Sequence, residues 1–429
     1  MFIVGDHDAR VFLDKDHLDR ETIKQIESIA AHPSVAHVRI MPDAHKGNGC
    51  CVGFTCKLTT TILPGLIGGD IGCGIALHPL PASLLGKKNS LAKLDKAIQR
   101  NVPMGNGHDC LHPTPLVQPA QYAKYFADAQ AQAAAFAAAY TATFGDDSVA
   151  AAMPTYNMDW FQALCRRIGS TMDVDLRAMG TLGGGNHFVE VNQGPDDTGF
   201  LTVHTGSRNL GQRIARYHHC KTTCEPEAND VAAGDDDDAD LRGVDPASHA
   251  LRGADAALYF YDMIWAQTYA CMNRRAILSV VLDAFGLALD TDTIIESVHN
   301  YIDFRDLVVR KGAIRCHANE RCVVALNMRD GVLVCQGLGN TEWNMSGPHG
   351  CGRIQSRGRA KAKKSAKGVD VAMRKFRDEM GDVYSTCVVP ETLDERPSVY
   401  RDAAIIQAAL GETATIVLHA KTLLNVKGF

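Results

Sequence analysis

The stretch Gly180-Thr-Leu-Gly-Gly-Gly-Asn186-His187-Phe188-Val189-Glu190 runs a glycine cluster into an alternating segment. A period of two predicts a strand with Asn186, Phe188 and Glu190 on one face and His187 on the other. The next apolar run ends in Val203-His204 and passes through Thr205-Gly206-Ser207-Arg208 into a helical pattern over Leu210–Tyr217. Strand, glycine turn and helix thus follow one another with polar residues at every junction. Further out, the amphipathic segments Glu21–Ala31, Leu91–Val102 and Trp160–Ile168 alternate with β-rich runs at Gly331–Gln336 and Thr415–His419. The expected class is α/β in the broad sense, a mixed α+β chain. Pro119–Phe144 and Ala254–Leu287 predict long helices that support the site from outside it. No repeat or linker divides the chain, so one domain over residues 1–429 is expected.

Composition narrows the function. Of 429 residues, 46% are hydrophobic and 22% charged, with a net charge of -5, which is ordinary globular usage and excludes disorder, collagen and coiled coil. A protein that coats nucleic acid by bulk charge is also excluded, although a local basic groove is not. The fourteen cysteines are scattered without a CxxC pair, so they read as thiols or metal ligands of a reducing compartment rather than a disulfide framework. No apolar run is long enough to span a membrane, and the opening MFIVGDHDAR lacks a signal pattern. A cytoplasmic protein without membrane contact is expected.

Several segments combine glycine-rich backbone with metal-type donors. Pro64-Gly-Leu-Ile-Gly-Gly-Asp70-Ile-Gly-Cys73-Gly74 sets a carboxylate and a thiol three residues apart, a pairing suited to Mn, Zn or Fe. His187, His204 and the pair His299-Asn300 add imidazoles. These five donors, Asp70, Cys73, His187, His204 and His299, suffice for two ions if one ligand bridges, and a thiolate can bridge. Arg208 at an apparent helix start reads as part of an oxyanion cradle. Arg310-Lys-Gly-Ala-Ile-Arg315 is a second basic turn.

Ser346-Gly-Pro-His349-Gly-Cys351-Gly-Arg353 leaves His349 flanked by small residues with Arg353 close by, an arrangement suited to a nucleophile that forms a phosphoramidate. A tight turn with an exposed His is the plainer reading. From Arg353 to Arg377 the chain holds ten Lys or Arg against one Asp, which reads as a phosphate-facing surface or as a solvated helix face. Tyr217-His-His-Cys-Lys-Thr-Thr-Cys224 fits no common zinc module and is read as structural. The five aspartates in Gly234–Asp240 read as a solvated loop, since the ligand alternation of an EF-hand is missing. Pro42-Asp43-Ala44-His45-Lys46-Gly47 reads equally as a site-lining segment or a plain turn.

With these residues in view, the chain resembles the RtcB family of RNA ligases. MPDAHKGNG at 41–49, GGDIGCG at 68–74, GTLGGGNHFVE at 180–190, HTGSRNLG at 204–211, HN at 299–300, RKGAIR at 310–315, HGCGR at 349–353 and VKG at 426–428 stand in the family's order. The resemblance implies a single domain with a central cleft. It also implies two Mn²⁺ ions, one held by Cys73, His204 and His299 and one by Asp70, Cys73 and His187. His349 would be the residue guanylylated by GTP. Asn186, Phe188, Glu190, Asn300, Gly350, Cys351, Gly352 and Lys427 would hold the nucleotide, and Arg208, Arg315 and Arg353 the RNA backbone. The implied activity joins RNA 2′,3′-cyclic phosphate or 3′-phosphate ends to 5′-hydroxyl ends, in RNA repair or tRNA processing. An activating protein partner is not specified by these motifs.

Two departures stand out. The family's Gly-Ser-Met-Gly stretch is sought between Gln336 and His349, where the chain is short, and Glu342 is placed at the guanine there. Lys46 occupies a position where an aromatic is usual. Two rival readings remain: an RNA-binding or sensing protein that no longer ligates, which follows from the short loop, and a metal-dependent RNA phosphodiesterase or end-healing enzyme that needs no nucleotide.

Overall fold

The computed structural model describes residues 1–5, 8–85, 88–105, 110–223, 249–361 and 366–429. Cys224, the Gly234–Asp240 run, and Lys363 and Lys364 of the basic run lie outside them. The predicted helices are present with ends moved by a few residues: Arg20–Ala30, Lys88–Asn101, Met158–Arg167, Tyr122–Phe144 and Gly253–Asp283. Asp19 caps the first of these, its carboxylate accepting from Thr22 N at 2.8 Å, which satisfies an amide the helix itself leaves unpaired.

Two sheets carry the fold. The first has six strands in the order β1 (Phe2–Val4), β2 (Ala9–Val11), β3 (Ala36–His45), β4 (Val52–Lys57), β12 (Val308–Lys311), β11 (Asn300–Asp303). The second has seven, in the order β10 (Ile295–Val298), β6 (Gly74–Leu80), β8 (Gly199–Thr205), β7 (Phe188–Gln193), β17 (Ala414–Val426), β15 (Val332–Gly337), β14 (Arg321–Ala325). Every pairing in the second sheet is antiparallel. Its two edge strands curl towards each other, and Val323 N of β14 donates to Ser297 Oγ of β10 at 2.8 Å. The sheet is therefore nearly a barrel, which hides edges that would otherwise stay unpaired. Two short ribbons complete the strands: β13 (Ala313–Arg315) with β16 (Ser346–Pro348), and β5 (Thr61–Ile62) with β9 (Leu251–Arg252).

Helix Gly253–Asp283 is buried along most of its length, largely through apolar side chains, and packs against β6, β8, β11 and the helices Tyr122–Phe144 and Arg208–Thr223. Such a helix belongs inside a fold. Its first two-thirds joins the core with Phe136, Trp265 and Ile302, and its last turns join the core behind β7 and β8 with Val189, Val191, Leu201 and Val203. Alternation then decides the site: those valines and Leu201 face this core, so Phe188, Glu190, Thr202 and His204 lie on the opposite face. Among the described residues no helix is long and apolar enough to cross a membrane.

Candidate functional site

Register brings the predicted donors together. β8 lies between β6 and β7, with His204 opposite Ile75 on one side and Phe188 on the other. The loop before β6 carries Asp70 and Cys73, His187 immediately precedes β7, and His299 separates β10 from β11. Cys73 Sγ lies 3.5 Å from His187 Nε2 and 3.3 Å from His204 Nε2, while His204 and His299 approach Nε2 to Nε2 at 3.3 Å. Asp70 Oδ2 lies 3.1 Å from His187 Nε2. All five side chains are buried. They form two groups sharing the thiol, Cys73–His204–His299 and Asp70–Cys73–His187, with the donor atoms of each within 4.8 Å of one another.

The hydrogen bonds behind the imidazoles assign their tautomers. His187 Nδ1 lies 2.9 Å from the Leu182 carbonyl and His204 Nδ1 lies 3.2 Å from the Asn186 carbonyl. A proton on each Nδ1 leaves both Nε2 lone pairs aimed at Cys73. Burial pushes His204 and His299 well below the ordinary imidazole range, helped by His187, Lys427 and His349 around the first and by His349 and His204 around the second. Burial pushes Asp70 up, yet the hydrogen bond and charge of His187 and the charge of Arg208 hold it below the usual carboxylate value. Neutral imidazoles, a thiol and a carboxylate crowded lone pair to lone pair fit a cation of the Mn, Fe or Zn type.

The helix start at Arg208 departs from expectation. Ser207 N donates to Asp70 Oδ1 at 3.0 Å, and a Cβ on Gly206 would fall 2.2 Å from Asp70 Oδ2. The positive end of this helix therefore holds the chain's own carboxylate rather than a substrate anion. Arg208 is buried beneath the glycine loop, its Nε donating to Thr181 Oγ1 at 3.2 Å.

Beside the donor cluster opens a cleft of about 710 Å³, lined by Asn186, Phe188, Glu190, His204, His299, His349, Gly350, Cys351, Gly352, Arg353 and Lys427 among others. The His349 ring stands 4.8 Å from the His299 ring. Its Nδ1 lies 2.6 Å from Oδ2 of the fully buried Asp43, and that same oxygen accepts from the backbone N–H of His349 and Gly350 at 3.0 and 3.2 Å. One carboxylate thus fixes both the ring and its turn. An adjoining cleft holds Asn300, Lys311, His45 and the other side of His299 and His349. Asn300 therefore lies across the histidines from Phe188, Glu190 and Lys427.

Glu190 is set between neighbouring strands, opposite Thr202 on β8 and Asn425 on β17. Asn425 Nδ2 and Asn192 Nδ2 each donate to one of its oxygens, at 2.7 and 2.8 Å. Burial outweighs these bonds and pushes the carboxyl up to about 7. Lys427 sits 5.6 Å from the Phe188 ring centre and 3.0 Å from Glu395. Glu395 also holds Arg353 at 3.0 Å and Arg357 at 2.7 Å. Burial pushes Glu395 up, but Lys427, Arg357 and Arg353 together hold it well below the usual carboxylate range.

Three of the expected site residues, Arg208, Arg315 and Glu342, stand apart from the two clefts. Arg315 is engaged by Asp303 at 2.8 Å and by Glu320, and like Arg208 it lines neither cleft. Glu342 pairs with Arg10 at the surface. Its segment lies on the first sheet, where Trp343 stacks on Phe12 at 3.9 Å. The cleft wall sought between Gln336 and His349 is instead the β14–β15 hairpin, which contributes Ala325, Leu326, Asn327, Met328 and Gly331. The signal for it was present, since Asn327-Met-Arg-Asp-Gly331 is a turn sequence between two β-rich runs. Asp43 is half-legible, Arg357 belongs to the basic run, and Glu395, Asn425 and Tyr400 carry no local motif at all. His218, paired with Asp262 at 2.7 Å, is a buried structural residue.

The sequence model of the family described as tRNA-splicing ligase RtcB matches residues 25–428. RNA-splicing ligases RtcB1 and RtcB of two Escherichia coli strains are each 24% identical to this chain, covering 96% of it and 95% of their own length. The tRNA-splicing ligase RtcB of Methanococcus maripaludis is also 24% identical, over 92% of this chain and 89% of its own. With nearly the whole length matched, and with the donor cluster and cleft built from the motifs that carry the likeness, the chain belongs to the RtcB family.

Proposed function

We propose that the chain is an RNA ligase that loads GMP from GTP onto His349 and then joins RNA 3′-phosphate or 2′,3′-cyclic phosphate ends to 5′-hydroxyl ends. The observation that carries this reading is His349 at the cleft, fixed through Nδ1 by Asp43 and one ring away from the donor cluster. Two Mn²⁺ ions would be held by Cys73, His204 and His299 and by Asp70, Cys73 and His187. When bound, such ions neutralise phosphate oxygens. The lone pair of His349 Nε2 bonds to the α-phosphorus of GTP, the bond to the bridging β-phosphate oxygen breaks, and pyrophosphate leaves with that electron pair. The Nδ1 proton stays on the ring, where the Asp43 carboxylate balances the new positive charge. An RNA 3′-phosphate oxygen next displaces the imidazole, and a 5′-hydroxyl finally attacks the activated end and releases GMP. A cyclic phosphate is opened by water first.

Asn186, Phe188, Glu190, Lys427 and the turn Gly350, Cys351 and Gly352 would hold the nucleotide, Asn300 approaching from the adjoining cleft. Arg353 and Arg357 would meet phosphates, their side chains kept at the cleft by Glu395. Retention of His349 and Lys427 at the cleft supports the ligase reading over an RNA-binding or sensing protein and over a nucleotide-independent phosphodiesterase, neither of which needs a guanylylation nucleophile. The test is incubation with Mn²⁺ and GTP labelled at either the α- or the γ-phosphate, followed by denaturing electrophoresis, beside an assay with an RNA bearing a 3′-phosphate and a 5′-hydroxyl. Label on the protein from α-GTP only, with joined RNA, is expected; neither label nor joining overturns the reading.

Glu190 makes nucleotide binding pH-dependent. Its carboxylate can accept from guanine N1–H and N2–H only when ionised, and the buried group sits at about 7 against an ordinary 4.5. A raised carboxyl holds its proton until the pH climbs past the raised value, so affinity rises with pH. The ionised fraction grows about tenfold between pH 6 and 8 for a group titrating near 7. Calorimetric titration with GTP is expected to show that gain, and Glu190→Gln to flatten it; affinity that falls with pH in the unmodified protein contradicts this role.

A further inference from the structure

Helix Gly253–Asp283 presents one polar stripe to the donor cluster. Asn273 and Arg274 are both fully buried there. Asn273 Oδ1 accepts from Gly180 N at 2.7 Å, and its Nδ2 donates to the carbonyls of Thr181 and Gly206, each at 3.1 Å. Arg274 Nη1 donates to the carbonyls of Gly72 and Thr205 at 2.8 and 2.9 Å, and its Nε to Glu296 Oε1 at 2.7 Å. Two turns earlier on the helix, Gln267 Nε2 donates to the Ile302 carbonyl at 3.1 Å. The helix also receives the first ligand loop directly: Gly72 has φ +77°, and a Cβ there would lie 2.9 Å from Ala270 Cβ and 3.0 Å from Gln267 Cα.

The groups these side chains hold are not scattered. The Gly72 carbonyl precedes Cys73, the Thr205 carbonyl follows His204, and Thr181 adjoins Leu182, whose carbonyl holds His187 Nδ1 at 2.9 Å. Ile302 lies three residues beyond His299. Only His204 is placed by a strand; Asp70, Cys73, His187 and His299 all stand in loops or between strands, so their own secondary structure does not fix them. A fully buried guanidinium is costly to desolvate and a poor source of net stability even when paired. What it supplies is direction, since the rigid guanidinium plane aims Nη1 at two carbonyls while Nε is held by Glu296.

We propose that Asn273 and Arg274, with Gln267, are positioning residues that hold the separate loops of the metal centre at ligand spacing. The proposal rests on the metal reading given under Proposed function. Outer residues of this kind set the affinity of a metal site as well as its geometry. Asn273→Asp retains the acceptor for Gly180 N but faces two carbonyls with an oxygen. Arg274→Lys keeps the charge and loses the fork. Gln267→Ala loosens only the His299 side of the centre.

The test is titration of the metal-free full-length protein with Co²⁺, followed by the thiolate-to-cobalt charge-transfer band, beside a thermal unfolding scan without metal. Tyr156→Phe is the control, because it removes a buried hydrogen bond to the Tyr261 carbonyl on the same helix and touches no ligand loop. Asn273→Asp and Arg274→Lys are expected to bind Co²⁺ about 10- to 100-fold more weakly with a shifted band, while Tyr156→Phe unfolds earlier at unchanged affinity. Gln267→Ala, on a half-buried residue and so the mildest change, is expected to weaken one of two Co²⁺ ions; it carries the comparison if the other variants do not fold. Wild-type affinity and band in the variants that fold overturn the positioning role. Failure of the unmodified protein to bind Co²⁺ overturns the metal reading itself, and the two failures are thereby told apart.

Discussion

His349→Ala is expected to abolish covalent attachment of GMP, with no residual label above background, while the protein still folds and still binds metal. The His349 side chain is 18% exposed, so its loss removes little packing. The partner left behind is the greater concern, because Asp43 is fully buried and an unpaired buried carboxylate is strongly destabilising. Here Asp43 Oδ2 keeps the backbone N–H groups of residues 349 and 350 as donors, and those survive the substitution. Asp43→Asn tests the other half of the pair. It keeps the shape but removes the charge that balances the imidazolium, and labelling is expected to slow by about 10²-fold or more rather than vanish. Label carried by the His349→Ala protein would place the nucleophile elsewhere, and an Asp43→Asn protein labelling at the unmodified rate would reduce Asp43 to a structural ligand of the turn. The bond formed should be labile to acid and stable to alkali, as a phosphoramidate is.

Much of this site is legible in the residue types alone, and the reason is geometric. Asp70, Cys73, His187 and His204 stand beside glycines and at the ends of apolar runs, where the chain leaves the core and side chains converge; period-two alternation alone separates Glu190 and Phe188 from Val189. What alternation cannot supply is registration between distant strands. That His204 faces Phe188 while Glu190 faces Asn425 depends on which strands become neighbours, and β17, far along the chain, joins β7 to β15 through two register shifts. Glu395 is invisible for a related reason. One glutamate in the segment Pro390-Glu-Thr-Leu-Asp-Glu395-Arg-Pro397 has no pattern, and only assembly surrounds it with Lys427, Arg353 and Arg357. Arg208 and Glu342 likewise depend on assembly, which turns their side chains to Thr181 and Arg10. The hairpin at 326–331 carries a turn signal in Asp330-Gly331, but only assembly sets it against the cleft.

Cys73→Ala is expected to remove both metal ions together, whereas His299→Ala removes or weakens one. The thiol is the sole donor common to the two groups, and its sulfur lies within 3.5 Å of both His187 and His204. Alanine leaves Asp70 and His187 as one incomplete pair and His204 and His299 as another, too few donors to hold a first-row cation against water. His299 belongs to one group only, so its loss leaves Asp70, Cys73 and His187 intact. Elemental analysis of the purified variants after equilibration with Mn²⁺, with calorimetry for the ion that remains, reads the difference directly. The bridging assignment requires a stoichiometry near zero for Cys73→Ala and near one for His299→Ala; equal residual metal in the two proteins refutes it. GMP labelling gives a second view of the same contrast, because the His299 ring stands against the His349 ring. His299→Ala should therefore lose labelling despite keeping an ion, which separates the presence of metal from its placement beside the nucleophile.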